Sequence, residues 1–261
     1  MTEALVSEKN PMLKQVRRAV TRGTLTEDGY AVAEGFHLLE EALSSDCEIR
    51  AVIVAESVKS TVSTHIRGLK RTRVAAIPDK LFDELASTDA PQGVIALVKP
   101  PAWTLDQLLR GKALVIVLDG VQDPGNAGAI LRAAEAFGAS GAAFLKGSVS
   151  PYNPKGVRAS AGSIFRLPVV AAIDDSLLLA ALDQKRIALF VAMPRAAKAI
   201  SEAKFSERCA IVIGGEGRGV SPALQQRATG VKIPTSGVES LNAAVAAGVM
   251  LYEARRQRTV A

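Results

Sequence analysis

Residues 113–139 read ALVIVLDGVQDPGNAGAILRAAEAFGA, and this stretch decides the fold class. Its first nine residues, 113–121, are mostly apolar, which is typical of a strand that is buried on both faces of a parallel sheet. A loop with Pro124 and Gly125 follows, and residues 127–139 are then predicted to form a helix. A buried strand, a turn and a helix in this order indicate an α/β domain.

The same alternation continues along the rest of the chain. We predict strands at 141–146, 167–172, 187–193, 209–216 and 231–234, and a long helix from Leu241 to about Arg256. Residues 113–261 are therefore predicted to form one domain with a parallel sheet.

The first 99 residues are predicted to form a smaller α/β domain. Helices are predicted at 10–21, 35–45, 62–70 and 79–88, and strands at 30–34, 50–56, 72–78 and 92–100. Residues 100–112, PPAWTLDQLLRGK, would link the two domains, and their Pro-Pro pair stiffens the connection. Trp103 in this linker is expected to pack between the domains.

Composition narrows the class of protein. The chain has 261 residues, of which 48% are hydrophobic, which is enough for two cores, and its net charge of +6 suits a nucleic-acid partner without requiring one. Its two cysteines (Cys47, Cys209) and two histidines (His37, His65) support neither a disulfide framework nor a metal site. The N-terminus lacks an apolar signal core and no run is long enough to span a membrane, so a cytoplasmic protein is expected.

Three glycine-containing turns carry the candidate chemistry. The first is DPGNAGAILR, in which Asn126 is suited to cap the helix and Arg132 to hold a phosphate or carboxylate. The second is IVIGGEGRGVS (211–221), whose glycines permit positive φ and close backbone approach to a ligand around Glu216. The third is IPTSGVESLNAAVA (233–246), where Ser240 or Asn242 can cap a helix.

A nicotinamide cofactor is disfavoured by these turns. The GxGxxG fingerprint is missing, and the strand after the first helix ends at Leu145-Lys146, without the acidic residue that such a site needs. The stretch YNPKGVRASAGSIFR (152–166) mixes basic and hydroxyl side chains, which suits phosphate positioning, although a solvated loop would have the same composition.

Taken together, the three segments resemble the SpoU (TrmH-type) RNA 2′-O-ribose methyltransferases of the SPOUT superfamily. The resemblance covers about 113–256 and includes three family motifs in order, with ESLNAAVA standing where the family often has SLNVSVA. The stretch 152–169 is similar to an intermediate block of the family. In the first domain, NPMLKQVRRA and VAEGFHLLEEAL are similar to the substrate-binding domain that accompanies it.

The resemblance implies a fold and a set of partners. The fold would be an L30e-like α/β substrate-binding domain followed by a SPOUT domain, whose parallel sheet contains a deep trefoil knot. The protein would be a homodimer that binds RNA and uses S-adenosylmethionine. Cofactor contacts, largely from the backbone, would come from Gly214, Gly215, Glu216, Gly217, Ile233, Ser240, Leu241 and Asn242. RNA contacts are expected from Lys14, Arg17, Arg18, Lys155 and Arg158.

The implied reaction moves a methyl group to a ribose 2′-hydroxyl. The expected catalytic residues are Arg132, Asn126, Glu216 and Asn242. Arginine stays protonated in proteins, so Arg132 is expected to hold an RNA phosphate and stabilise the developing alkoxide, with Asn126 orienting the site. Ribosomal RNA is the expected substrate, since an added RNA-binding domain suits a large folded RNA. Transfer RNA and a non-catalytic RNA-binding protein on the same scaffold remain alternatives, and the sequence does not separate a housekeeping role from antibiotic resistance.

Overall fold

The structure, a computed structural model, describes residues 2–4, 10–45, 47–65 and 72–260, without the side chains of 2–4, 63, 65 and 260. The chain divides into two compact units. Unit 1 comprises residues 1–101 together with 152–165, and unit 2 comprises 102–151 and 166–261. Within the described ranges, none of the helices combines the length and the hydrophobicity that crossing a membrane requires.

The elements are numbered in chain order. Up to residue 98 they are β1 (Thr2–Ala4), α1 (Pro11–Arg22), β2 (Ala31–Glu34), α2 (Phe36–Ser44), β3 (Ile49–Ala55), α3 (Lys59–His65), β4 (Arg73–Ile77), α4 (Asp79–Asp83) and β5 (Val94–Val98). From residue 105 they are α5 (Leu105–Leu108), β6 (Leu114–Asp119), α6 (Pro124–Ala136), β7 (Gly141–Leu145), α7 (Pro154–Ala159), α8 (Ser163–Arg166), β8 (Val169–Ile173), α9 (Asp175–Lys185), β9 (Ala188–Ala192), β10 (Lys198–Ala199), β11 (Cys209–Gly214), α10 (Pro222–Arg227), β12 (Thr229–Lys232) and α11 (Ala243–Val260). Short 3-10 turns lie at Glu56–Val58 and Ile200–Glu202.

Unit 1 contains a mixed five-stranded sheet in the order β1-β4-β3-β5-β2. Strands β1, β4 and β3 are parallel to one another, and β5 runs antiparallel to both β3 and β2. Helix α1 is fixed at its start by the Asn10 side chain, which accepts a hydrogen bond from the Met12 N–H at 2.9 Å, and it ends at the left-handed Gly23. Its apolar side, with Leu13 and Val16, packs into the core of the unit, which leaves the basic side in solvent.

Unit 2 contains a seven-stranded sheet in the order β10-β12-β9-β11-β6-β7-β8, in which every pair is parallel. The prediction of an α/β domain with a parallel sheet is therefore confirmed. Residues Leu114–Leu118 of β6 have no exposed surface, because this strand lies between β11 and β7 with both faces covered. The trefoil knot and the L30e-like detail of unit 1 stay predictions.

The strand order places a switch point between β6 and β11. From β6 the sheet continues to β7 and β8 on one side, whereas β9, β12 and β10 lie beyond β11 on the other. In open α/β sheets, ligands bind beyond the carboxyl ends of the strands next to such a point. Asp119 and Gly214, the last residues of β6 and β11, lie directly opposite each other at this point.

Two predicted domain boundaries differ from the observed units. Residues 152–165 are predicted to be part of the second domain, but they belong to unit 1, where α7 packs against β2. The predicted linker 100–112 would belong to neither domain, but from residue 102 it is part of unit 2. The reason is that Leu108 and Leu109 are buried in the core of unit 2, and Trp103 packs against this same core.

Several helices also differ from the prediction. Asn126 does not cap α6, because the helix begins at Pro124 and the Asp123 side chain accepts the Asn126 N–H at 2.8 Å. No helix is predicted from the sequence at α5, α7, α8, α9 or α10, and α11 begins at Ala243 rather than Leu241. The predicted helix 62–70 extends into residues 66–70, which lie outside the described residues.

Candidate functional site

A cavity, here called cavity A, opens at the carboxyl ends of three neighbouring strands of unit 2. Its wall is formed by the ends of β9, β11 and β12, by the loop that follows β12, and by the first turn of α11. The lining residues are Ala192, Met193, Pro194, Ile213, Gly214, Gly215, Glu216, Gly219, Val220, Val231, Ile233, Thr235, Glu239, Ser240, Leu241, Ala243 and Ala246. Six of the eight predicted cofactor residues are among them. The other two, Gly217 and Asn242, do not line this cavity.

The chemistry of cavity A favours a cationic ligand with an apolar body. Most of its wall is apolar side chain and backbone, with hydroxyl groups from Thr235 and Ser240. The charged side chains among its described lining residues are Glu216 and Glu239, and both are acidic. An anionic ligand such as a pyrophosphate would meet two carboxylates here, whereas a ligand with positive groups would be attracted.

Gly214, at the end of β11, and Gly215, which follows it, each lie very close to other backbone atoms. A Cβ on Gly214 would lie 2.4 Å from the Gly219 carbonyl carbon, and a Cβ on Gly215 would lie 2.1 Å from the Gly120 carbonyl oxygen. Positive φ, which the sequence also suggested for these glycines, occurs only at Gly219 in this loop. The absence of a side chain at 215 lets the loop after β11 pack against the loop after β6, and the absence of one at 214 lets the loop after β11 fold back on itself.

Three predicted catalytic residues, one from each loop, form a hydrogen-bonded cluster, here called the amide–carboxylate network. The Asn126 Nδ2 donates to Glu216 Oε1 at 2.7 Å. The Asn242 Nδ2 lies 3.0 Å from Asn126 Oδ1 and 3.4 Å from Glu216 Oε1. The Asn242 Oδ1 accepts the N–H groups of Ala244 and Val245, so this residue also caps α11. The network therefore ties the three motif loops to one another.

A second cavity, cavity B, lies on the other side of the loop after β11. It has a volume of about 830 Å³ and is lined by Asp119–Asp123, Asn126, Lys146, Gly147, Glu216–Pro222 and Ala243. Its basic side chains are Lys146, which pairs with Asp174 at 2.7 Å, and Arg218, which is exposed and makes no hydrogen bond or ion pair with any described residue. Glu216 lines both cavities and so stands on their border.

Arg132 is the predicted catalytic residue that does not join this cluster. It lies on α6 six residues after Asn126, which is about 9 Å along the helix and roughly 120° around it. Its side chain is exposed, lines neither cavity A nor cavity B, and forms no hydrogen bond with the described residues. Within one chain, therefore, Arg132 faces solvent.

The predicted RNA-binding residues fall into two groups in unit 1. Lys14, Arg17 and Arg18 are exposed on the basic side of α1, and Arg17 and Arg18 pair with Glu84 and Glu27 at the surface. Surface pairs of this kind are weak and leave the cations available to a phosphate.

The second group, on α7, consists of Lys155 and Arg158. Lys155 is exposed, whereas Arg158 Nη1 lies 3.4 Å from the carboxylate of Glu34, whose side chain is only 3% exposed. The same carboxylate also accepts hydrogen bonds from Ser87 and Thr88. Arg158 thus has an internal partner, and its geometry fits a tie between α7 and β2 better than a contact to RNA.

One wall of cavity A contains none of the predicted site residues. Ala192, Met193 and Pro194 line it from the end of β9. A signal was present, because a strand was predicted to end at Met193 and the carboxyl ends of parallel strands lie at one edge of the sheet.

Comparisons with known proteins agree with the fold. Residues 113–252 match the SpoU rRNA Methylase family, and residues 10–96 match the MRM3-like substrate binding domain. An uncharacterized tRNA/rRNA methyltransferase of Synechocystis sp. is 33% identical over 276 residues, covering 99% of this chain and 95% of the relative. The 23S rRNA (guanosine(2553)-2′-O)-methyltransferase RlmP of Bacillus subtilis is 29% identical over 258 residues, covering 95% of this chain and 98% of the relative.

A solved structure is similar over the whole length. The crystal structure of the SpoU methyltransferase AviRb from Streptomyces viridochromogenes, in complex with the cofactor AdoMet, matches with a TM-score of 0.88 at 30% identity, covering 96% of this chain and 99% of that one. The family match spans the segment that carries both cavities and the amide–carboxylate network. This chain therefore belongs to the SpoU rRNA methylase family.

Proposed function

We propose that this chain transfers a methyl group from S-adenosylmethionine to a ribose 2′-hydroxyl of ribosomal RNA. The observation that carries the proposal is the acidic, otherwise apolar cavity A beside the amide–carboxylate network. Family membership supports the reaction, and the relative RlmP supports ribosomal RNA as the substrate. A cytoplasmic location is part of the same proposal.

The residues of cavity A fit the proposed donor. S-adenosylmethionine carries a sulfonium and an ammonium group, which the carboxylates of Glu216 and Glu239 would attract. Its adenine has apolar faces that suit the wall around Ile213 and Leu241, and its ribose hydroxyls suit Thr235 and Ser240. When bound, the donor supplies an electrophilic methyl group on a positively charged sulfur.

The chain's own residues would hold the RNA in line with that methyl group. Correct alignment alone removes a large part of the barrier to a transfer of this kind. The amide–carboxylate network fixes the three loops around the reacting atoms. Arg132, which stays protonated, would bind a phosphate of the acceptor strand and stabilise negative charge on the hydroxyl oxygen.

A homodimer would bring Arg132 to the site. Helices α6 and α11 pack together and present an exposed apolar surface, in which Val245 is 51% and Tyr252 is 56% exposed, with the Tyr252 ring against Phe137 at 5.8 Å. A second copy seated on this surface by a two-fold axis would cover it. Since Arg132 faces away from the network of its own chain, we propose that it serves the site of the second copy.

The test of the reaction is methyl transfer with purified protein. Tritiated S-adenosylmethionine should label ribosomal RNA, the label should map to a 2′-O-methyl group, and transfer RNA assayed in parallel should stay unlabelled. Arg132→Ala should abolish labelling while calorimetry still detects binding of S-adenosylmethionine. Label in transfer RNA instead would correct the substrate, and a protein that binds no S-adenosylmethionine would contradict the function.

The shared site has a test of its own. An Arg132→Ala chain and an Asn242→Ala chain would each be inactive, but a heterodimer that exchanges Arg132 between copies has one intact site. An equal mixture, after subunit exchange, should therefore recover roughly a quarter of the wild-type rate. Recovery of no activity in a mixture that sedimentation shows to be dimeric would refute the exchange.

A further inference from the structure

The proposed reaction leaves one atom without an acceptor, namely the proton of the 2′-hydroxyl. A ribose hydroxyl is a poor nucleophile while it keeps that proton, and Arg132 cannot take it because a guanidinium is already protonated. With the donor in cavity A and the acceptor nucleoside in cavity B, the proton acceptor must lie at the border between the two cavities. The following inference rests on the proposed function.

Four carboxylates among the described residues line the two cavities, and they differ in which cavity they line. Asp119 and Asp123 line cavity B alone. Asp119 accepts the Ser221 N–H at 2.6 Å, and Asp123 accepts the Asn126 N–H at 2.8 Å. Glu239 lines cavity A alone. Glu216 is the carboxylate that lines both, among the described residues.

The hydrogen bonds of Glu216 are unequally divided between its oxygens. Both amide donors of the network, Asn126 and Asn242, lie on Oε1, at 2.7 and 3.4 Å. Oε2 receives no hydrogen bond from any described residue. Two donors on one oxygen hold the carboxylate in a fixed orientation, while the other oxygen is left to accept a proton.

From this geometry we infer that Glu216 Oε2 accepts the proton of the ribose 2′-hydroxyl during methyl transfer. The hydroxyl oxygen forms its bond to the methyl carbon as the bond from that carbon to sulfur breaks, and the electron pair of that bond remains on sulfur. The hydroxyl proton passes to Oε2. A sulfonium cation and a carboxylate anion are thereby replaced by a neutral thioether and a neutral carboxylic acid, so charge is cancelled inside the site.

A carboxylate is basic enough for this role because of the timing of the transfer. As the oxygen begins to bond to carbon, its proton becomes more acidic, so proton transfer to the carboxylate and formation of the new bond can proceed together. Cavity B, at about 830 Å³, falls within the range of roughly 300–1,000 Å³ found for ligand sites and has room for the acceptor nucleoside. Glu216 thus occupies a wall that the nucleoside and the donor would share.

The test separates a chemical role from a structural one. Glu216→Gln keeps an oxygen for Asn126 and Asn242, so the loops should remain in place and the thermal unfolding curve should match that of the wild type. At saturating S-adenosylmethionine, kcat should fall at least about 100-fold, as expected for loss of a general base. Calorimetry should show that affinity for S-adenosylmethionine falls by much less than kcat, since Glu216 is solvent-exposed and Glu239 still attracts the donor.

Chemical rescue provides the second arm. Added formate should restore part of the activity of Glu216→Ala by filling the space of the lost carboxylate, and it should restore none to Arg132→Ala. A Glu216→Gln enzyme with kcat within tenfold of the wild type would overturn the inference, as would a donor affinity that falls as far as kcat. A wild-type enzyme that methylates no RNA would instead contradict the proposed function.

Discussion

Gly215→Ala should separate the two loops that meet at the switch point. The new Cβ would lie 2.1 Å from the Gly120 carbonyl oxygen, and ordinary van der Waals contact begins at 3.4 Å, so the backbones must move apart by about 1.3 Å. A movement of this size breaks the 2.9 Å hydrogen bond from the Gly215 N–H to the Asp119 carbonyl. Overpacking costs about 1–3 kcal/mol and the lost hydrogen bond about 1 kcal/mol, which gives about 2–4 kcal/mol of lost stability.

The assay is thermal unfolding followed by circular dichroism, with Gly217→Ala as the matched control. A loss of about 2–4 kcal/mol lowers Tm by about 5–15 °C in a domain of this size. A Cβ on Gly217 would meet nothing within 4 Å, so this control should stay within about 0.5 kcal/mol of the wild type. Since Gly215 also lines cavity A, its variant should bind S-adenosylmethionine more weakly. Equal Tm values for the two variants would refute the argument from backbone contact.

Three further predictions concern other parts of the chain. Arg258 donates to four backbone carbonyls near the start of β6 and β11, so Arg258→Ala should cost about 2–3 kcal/mol in chemical denaturation, whereas Arg255→Ala, at an exposed position, should cost little. Lys14→Ala should lower the slope of log affinity for RNA against log salt by about 0.7–0.9, whereas Arg158→Ala should lower Tm instead, because it leaves a buried carboxylate without its cation. Burial raises the pKa of the Cys209 thiol above its ordinary value of 9.0, so at pH 8 iodoacetamide should label this residue only after unfolding, and fast labelling of the folded protein would contradict its buried position.

The parallel sheet could be predicted because burial on both faces gives a strand its own sequence signature. Leu114–Leu118 show no alternation of polar and apolar residues, which only a central strand tolerates. Helix α9 gave no comparable signal, because its run Leu177–Ala181 is apolar without a helical period. Leu178 is fully buried although Leu177 beside it is 57% exposed, so only packing decides which leucine faces the core.

The residue types of the site were predictable, but their contacts were not. Asn126, Glu216 and Asn242 could be singled out by the turns that carry them. In sequence, however, Glu216 follows Asn126 by 90 residues, and Asn242 follows Glu216 by another 26. Their meeting depends on the strand order, which sequence pattern does not specify. Arg158 is the opposite case, because its basic character suggested RNA, and only the fold brings it to Glu34, 124 residues earlier in the chain.

The excursion of residues 152–165 into unit 1 has a consequence for how this protein can be dissected. The chain begins in unit 1, leaves it after residue 101, returns at 152 and departs again after 165. A fragment that stops after residue 101 would lack α7 and would strip β2 of the helix that packs on it. Each unit is thus made of two separate stretches of sequence. Neither unit can be expressed alone, or exchanged with that of a homologue, as one continuous segment.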